Sequence, residues 1–102
     1  MKEYIQKVRD LLQDPNKWIQ GDDAIDIKGG GVDPTDPNAC RWCLMGAFLH
    51  FKAPQQVRDY IHDLCFELKG TGYGRGFNDT STHEQVISLL DKALERYSND
   101  KS

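Results

Sequence analysis

A chain of 102 residues, 38% hydrophobic and 28% charged, has room for one core and one domain. Thirteen basic against sixteen acidic residues leave a net charge of −3, which supplies no bulk attraction for a phosphate backbone and sets nucleic acid aside as a first partner. No apolar run approaches the roughly 20 residues of a membrane span, and residues 1–7 enter a charged amphipathic pattern with no secretory leader, so the expected setting is cytoplasmic.

Tyr4, Ile5, Val8, Leu11 and Leu12 recur at steps of three and four and predict an amphipathic helix over 2–12, stopped by Asp14-Pro15-Asn16. Trp18-Ile19-Gln20-Gly21 is irregular. The alternation from Ala24 to Ile27, followed by Gly29-Gly30-Gly31 and Val32, predicts a small β-hairpin between the first two helices. Asp33-Pro34-Thr35-Asp36-Pro37 is turn chemistry, and Asp36 before Pro37 reads as a helix N-cap with proline at the first helical position. The helix so predicted, 37–51, is apolar at almost every position from Cys43 to Leu49 and must be surrounded by other elements; Gly46 and Ala47 would let a neighbouring helix come close.

Pro54 opens a third predicted helix running to Lys69, with Val57, Ile61, Leu64, Cys65 and Leu68 on the inward stripe and Gly70 as its stop. Residues 70–76, with four glycines, read as a flexible loop carrying Tyr73 and Arg75. The last helix starts near Thr82, where Thr82 with Gln85, or Ser81 with Glu84, makes a capping box, and its stripe is Val86, Leu89, Leu90, Ala93, Leu94 and Tyr97. Residues 98–102 are expected to fray. The expected fold is mainly α: a compact four-helix domain, single over 1–102, around a central apolar helix at 37–51 with the hairpin between helices 1 and 2.

Three cysteines outside a secretory setting read as free thiols, and the Asn78-Asp79-Thr80 sequon as chance. Cys40 and Cys43 form a Cys-x-x-Cys pair, but no strand precedes it as a redox site of thioredoxin type requires. His62 and Cys65, three apart, together with Cys40 and Cys43 would complete a tetrahedral zinc set and a zinc-stabilised interaction module. Both pairs fall on predicted helices instead of a knuckle turn, so the expectation is no metal and no other cofactor, with Cys43 in the core. His50 and His83 have no partner at ligand spacing and suit solvated or capping roles. Cys43, or the Asn78-Asp79 pair, could serve a small enzyme, although nothing marks either as reactive. The 70–76 loop with Arg75, leading into Asn78-Asp79 and a helix start, has the general form of an anion-binding turn while matching no phosphate-loop pattern. Trp18 and Trp42 each need a partner for the indole N–H if buried.

Taken in order, Trp18-x-Gln20-Gly21, Ala39-x-x-Trp42-Cys43-x-x-Gly46-Ala47, and Phe77-Asn78-Asp79 followed by Thr82-x-Glu84-x-Val86-x-x-Leu89-Leu90-Asp91-x-Ala93 resemble a family of small proteins of unknown function encoded by bacteria and their phages. The resemblance spans residues 4–94. Phe77 stands where that family usually has tryptophan, and Cys40 falls in a variable slot. What the resemblance implies is that Gln20, Trp42, Cys43, Asn78 and Asp79 converge, either as a pocket or, the preferred reading, as a hydrogen-bonded network fixing the loops. The function expected is a non-enzymatic binding protein of a partner protein or a small anionic ligand, and, if phage-encoded, an accessory factor that blunts host defence. Trp18, Gln20, Trp42, Cys43, Tyr73, Arg75, Asn78 and Asp79 are the expected contact residues. The sequence carries no signal for an oligomeric state.

Overall fold

The first and last helices form the frame on which the site is hung. The computed structural model describes the backbone of residues 1–70 and 74–101 and the side chains of those residues through Tyr97. Helix α1 (Lys2–Leu12) buries Ile5, Val8 and Leu12 completely, with Tyr4 and Leu11 at the edge of the core. It lies against α5 (His83–Lys101), which sets Val86, Leu89, Leu90, Ala93 and Tyr97 inward and Leu94 at the margin. The start of α5 is fixed by a reciprocal box in which the Thr82 N–H donates to Gln85 Oε1 at 3.0 Å and the Gln85 N–H donates to Thr82 Oγ1 at 3.1 Å. The other terminus that needs satisfying, the carbonyl end of α1, is met by His83 Nε2, which donates to the Leu12 carbonyl at 2.5 Å. The backbone of α5 stays helical through Lys101, past the point where the polar tail predicts fraying; Ser102 lies outside the described residues.

Between α1 and the central helix, β1 (Ala24–Ile25) pairs antiparallel with β2 (Arg41–Trp42), Ala24 opposite Trp42 and Ile25 opposite Arg41. The glycine turn is present: Asp26 Oδ1 accepts from Lys28 N and Gly30 N, and the chain returns so that Val32 N donates to the Ala24 carbonyl at 3.0 Å. On its other side Trp42 receives the Ile19 N–H on its carbonyl, so β2 runs between the 18–19 and 24–25 segments.

This pairing corrects the predicted start of the central helix. Asp36 does not cap a helix; its carboxylate accepts from Asn38 N at 2.7 Å in a local turn, as Asp33 does from Thr35. Residues 41–42 are drawn into the ladder, and α2 occupies only Leu44–His50, with Cys43 as N-cap. Leu44, Met45, Gly46, Ala47 and Phe48 are all buried, so the helix is surrounded as its composition demands. What approaches Gly46 is not a helix but the backbone before β1: a Cβ at position 46 would sit 1.8 Å from the Asp23 carbonyl oxygen.

Helix α3 (Gln55–Lys69) runs from Pro54 to Gly70, whose φ of +74° closes it in the left-handed conformation that glycine adopts without strain. Val57, Ile61, Leu64 and Cys65 face the core, whereas Leu68, predicted on the same stripe, is 39% exposed and lines a surface groove with residues of α5. The segment expected as a flexible loop holds a short fifth helix, α4 (Gly74–Asp79), which buries Phe77 and Asn78. The fold is therefore mainly α, with five α-helices and the small antiparallel pair among the described residues.

Gly46→Ala is expected to destabilise the domain by about 2 kcal/mol or more, since backbone rather than a flexible side chain must move. Urea unfolding at constant m-value checks this, with Ala47→Gly as a control that leaves the approach open.

Candidate functional site

Asn78 is fully buried, and each of its amide atoms has partners. Its Oδ1 accepts from the Trp18 indole Nε1–H at 2.6 Å and from the Leu44 backbone N–H at 3.0 Å. Its Nδ2 donates to the Ile19 carbonyl at 3.0 Å and, more weakly, to Asp79 Oδ1 at 3.4 Å. Because both groups meeting Oδ1 are pure donors, the orientation of the amide is forced by its surroundings. One side chain on α4 thereby holds the segment after α1 and the first turn of α2.

Gln20 caps the C-terminal end of α4. Its Nε2 lies 3.0 Å from the Asn78 carbonyl, 3.2 Å from that of Asp79 and 2.8 Å from that of Ser81, sharing two N–H groups among three carbonyls at the end of α4 and just past it. Lys69 adds a bond from Nζ to the Thr80 carbonyl at 2.6 Å and to Ser81 Oγ at 2.8 Å. Gly21, at φ +90°, turns its N–H onto Asp79 Oδ1 at 2.9 Å. At the start of α4, Gly74 N donates to His62 Nδ1 at 2.7 Å. Six residues cannot hold a helix in water by propensity. These bonds from α3 and from residues 20–21 hold it in place.

Beside this network lies a polar cleft of about 240 Å³ lined by Gly21, Asp22, Asp23, Cys43, Arg75 and Asp79. Arg75 projects from α4 onto Asp23 in a two-point ion pair, Nε to Oδ1 at 2.7 Å and a terminal nitrogen to Oδ2 at 2.9 Å. The guanidinium holds the Asp23 carboxyl below its ordinary value, and the carboxylate raises Arg75 in return. Both side chains are partly exposed, so the pair is worth about 1 kcal/mol or less and acts mainly to set position. Cys43 faces the same carboxylate, its Sγ 3.7 Å from Asp23 Oδ1, while accepting the Gly46 N–H at 3.2 Å. Burial, with the Asp23 charge adding to it, pushes the thiol up to about 11, so it is protonated at neutral pH and serves as a helix cap.

Of the five residues expected to converge, Gln20, Asn78 and Asp79 share one network, joined by Trp18, while Cys43 meets Arg75 through Asp23, a residue the sequence pattern did not single out and whose pairing with Arg75 spans 52 positions. Trp42 stands apart: its indole donates to the Pro34 carbonyl at 3.0 Å, which also accepts from His50 Nδ1 at 2.8 Å, and the two rings pack 4.7 Å apart. Tyr73 lies outside the described residues. The zinc set is not assembled: although Cys40 and Cys43 lie off the helix expected to carry them, Cys65 is fully buried in the core and raised to about 12 by that burial, His62 Nδ1 is occupied by Gly74, and Cys43 Sγ accepts the Gly46 N–H. Among the described residues no three His, Cys, Asp or Glu side chains gather as a metal site requires. Nor is any helix long and apolar enough to cross a membrane among those residues.

The model of a family described as a family of unknown function, DUF6197, matches residues 1–96. The chain belongs to this family. No curated protein and no solved structure matches it. In this DUF6197 member the spaced pieces Trp18-x-Gln20-Gly21 and Asn78-Asp79 are the two halves of one hydrogen-bond network, and Cys43-x-x-Gly46 is a helix cap followed by the residue that admits the Asp23 backbone.

Asn78→Ala strands the Trp18 indole N–H, the Leu44 N–H and the Ile19 carbonyl. A loss of about 3 kcal/mol in urea-unfolding free energy is expected, with Trp18 fluorescence shifted to longer wavelength in the native state. His62 is held below its ordinary value by burial, with Arg75 and Arg58 acting in the same direction and Asp59 and Asp63 opposing them. Its neutral form is the one that accepts from Gly74. Its stabilising contribution is therefore complete above the unfolded value near 6.5 and declines as pH falls through the lower folded value. His62→Gln, which keeps an acceptor without titrating, is expected to flatten the melting temperature between pH 7 and pH 5 relative to the parent chain.

Proposed function

We propose that this domain is a non-enzymatic binding protein that engages a partner protein through the acidic cleft lined by Gly21, Asp22, Asp23, Cys43, Arg75 and Asp79. The observation that carries this reading is that the groups with chemical potential are already committed to structure. The Cys43 thiol is protonated and capping, the Asn78 amide is saturated, and Arg75 is paired with Asp23. Asp22 is exposed at the mouth, and the lining sets three carboxylates against one guanidinium.

That balance favours a cationic side chain, arginine or lysine, presented by the partner. A small anion would have to displace Asp23 from Arg75 while facing Asp22 and Asp79, which argues against the anionic half of the sequence expectation at this cleft. Occupying a host protein in this manner is how a small phage-encoded accessory factor in the cytoplasm would blunt host defence, and that setting is the one we favour.

Titrating the isotope-labelled chain with Nα-acetyl-arginine amide is expected to shift the amides of Gly21, Asp22 and Asp23, and Asp22→Lys is expected to abolish the shift with the melting temperature unchanged. A response to acetate instead, or none to the arginine amide, would contradict the reading. Thiol labelling of native Cys43 is expected to proceed only as fast as unfolding; rapid labelling would restore the enzyme alternative.

A further inference from the structure

A second concavity, on the far side of α4, has the opposite character. It measures about 200 Å³ and is lined by Leu68 and Lys69 of α3, Phe77 of α4, and Gln85, Ser88, Leu89 and Lys92 of α5. Phe77 and Leu89, both core residues, reach its floor, and the half-exposed Leu68 forms a wall. No carboxylate lines it, and its two charges are both ammonium groups, in a protein of net charge −3. A carboxylate that bridges the same two helices, Glu67, is joined to Arg96 at 2.6 Å.

Lys69 is not a free surface lysine. Two of its three N–H groups are directed at the Thr80 carbonyl and Ser81 Oγ, and its Nζ stands 5.3 Å from the Phe77 ring centroid. A cation fixed above an aromatic floor, with one N–H left over, binds an anion without first having to order a long side chain. Lys92, from α5, lines the same groove and is exposed.

We propose that this groove binds a small amphiphilic carboxylate, an aromatic or branched-chain acid, with its apolar part on Phe77, Leu68 and Leu89 and its carboxylate between Lys69 and Lys92. Charge complementarity selects the head group. The volume selects the size, since it falls below the range of about 300 to 1,000 Å³ typical of drug-sized ligands and suits one ring or a short branched chain. The site extends the binding reading to a second surface and uses none of the residues of the acidic cleft, so either can fail without the other.

The test uses the full chain, isotope-labelled, titrated with 3-phenylpropionate, 3-phenylpropanol and a peptide ending in Gly-Gly-Phe with a free carboxylate. Shifts confined to residues lining the groove are expected with 3-phenylpropionate, at least about tenfold weaker binding with the alcohol, and the same loss for the acid in Lys92→Glu, a position that makes no hydrogen bond or ion pair among the described residues. Ser88→Trp, which fills the groove from an exposed helical position, is expected to abolish binding while the melting temperature is kept. Equal binding of acid and alcohol, or no groove shifts with the acid, would overturn the proposal. Tighter binding of the peptide than of the free acid would also overturn it, by making the occupant a protein C-terminus.

Discussion

The rest of the structure depends on one buried amide. Asn78 Oδ1 lies between the Trp18 indole N–H and the first backbone N–H of α2, while its Nδ2 reaches the Ile19 carbonyl. Each of those partners is a polar group that burial would otherwise leave unsatisfied, and a single side chain answers three of them. Fixing α4 against α2 and the 18–19 segment also fixes Asp79 beneath Gly21 and Arg75 opposite Asp23. The acidic cleft is in that sense a consequence of the network rather than a separate construction.

Helix α4 shows why such a network is needed. It has two glycines in six residues and a glycine-rich approach, so local propensity gives no reason for it to be helical. Its first N–H is taken by His62 and its last carbonyls by Gln20, while Lys69 holds the Thr80 carbonyl just beyond it, all from outside the helix. Once held, it divides two surfaces of opposite charge: the carboxylate-lined cleft with Arg75, and the apolar groove rimmed by Lys69 and Lys92. A chain whose overall charge is close to balanced can therefore offer chemically distinct faces within a few residues of one short element.

The three long helices were legible because their information is local. The stripes of α1, α3 and α5 repeat at helical spacing, Gly70 closes α3, and the Thr82–Gln85 box opens α5. The start of α2 was not, because Asp36-Pro37 carries every local mark of a helix start while the decisive event, pairing of 41–42 with 24–25 and of Ile19 with the Trp42 carbonyl, is tertiary. For the same reason α4 reads as loop, and Gly46 reads as a helix-packing residue although it admits the Asp23 backbone. In the site, the convergence of Gln20, Asn78 and Asp79 was visible only through the spaced pieces of a family pattern, and Asp23 was not visible at all. An ordinary aspartate acquires its role only when Arg75 is folded onto it.

The central claim is that the Asn78 network is a closed structural hub, as stable as the core. Native-state hydrogen exchange of the Trp18 indole N–H and the Leu44 amide tests it most directly, because both protons are bonded to the same oxygen. The account predicts that both exchange only through global unfolding, with the same denaturant dependence as the amides of Leu89 and Leu90 in α5. Rapid exchange of the Trp18 indole at a rate insensitive to denaturant, while those core amides stay protected, would contradict it and make the 18–21 segment a movable flap instead.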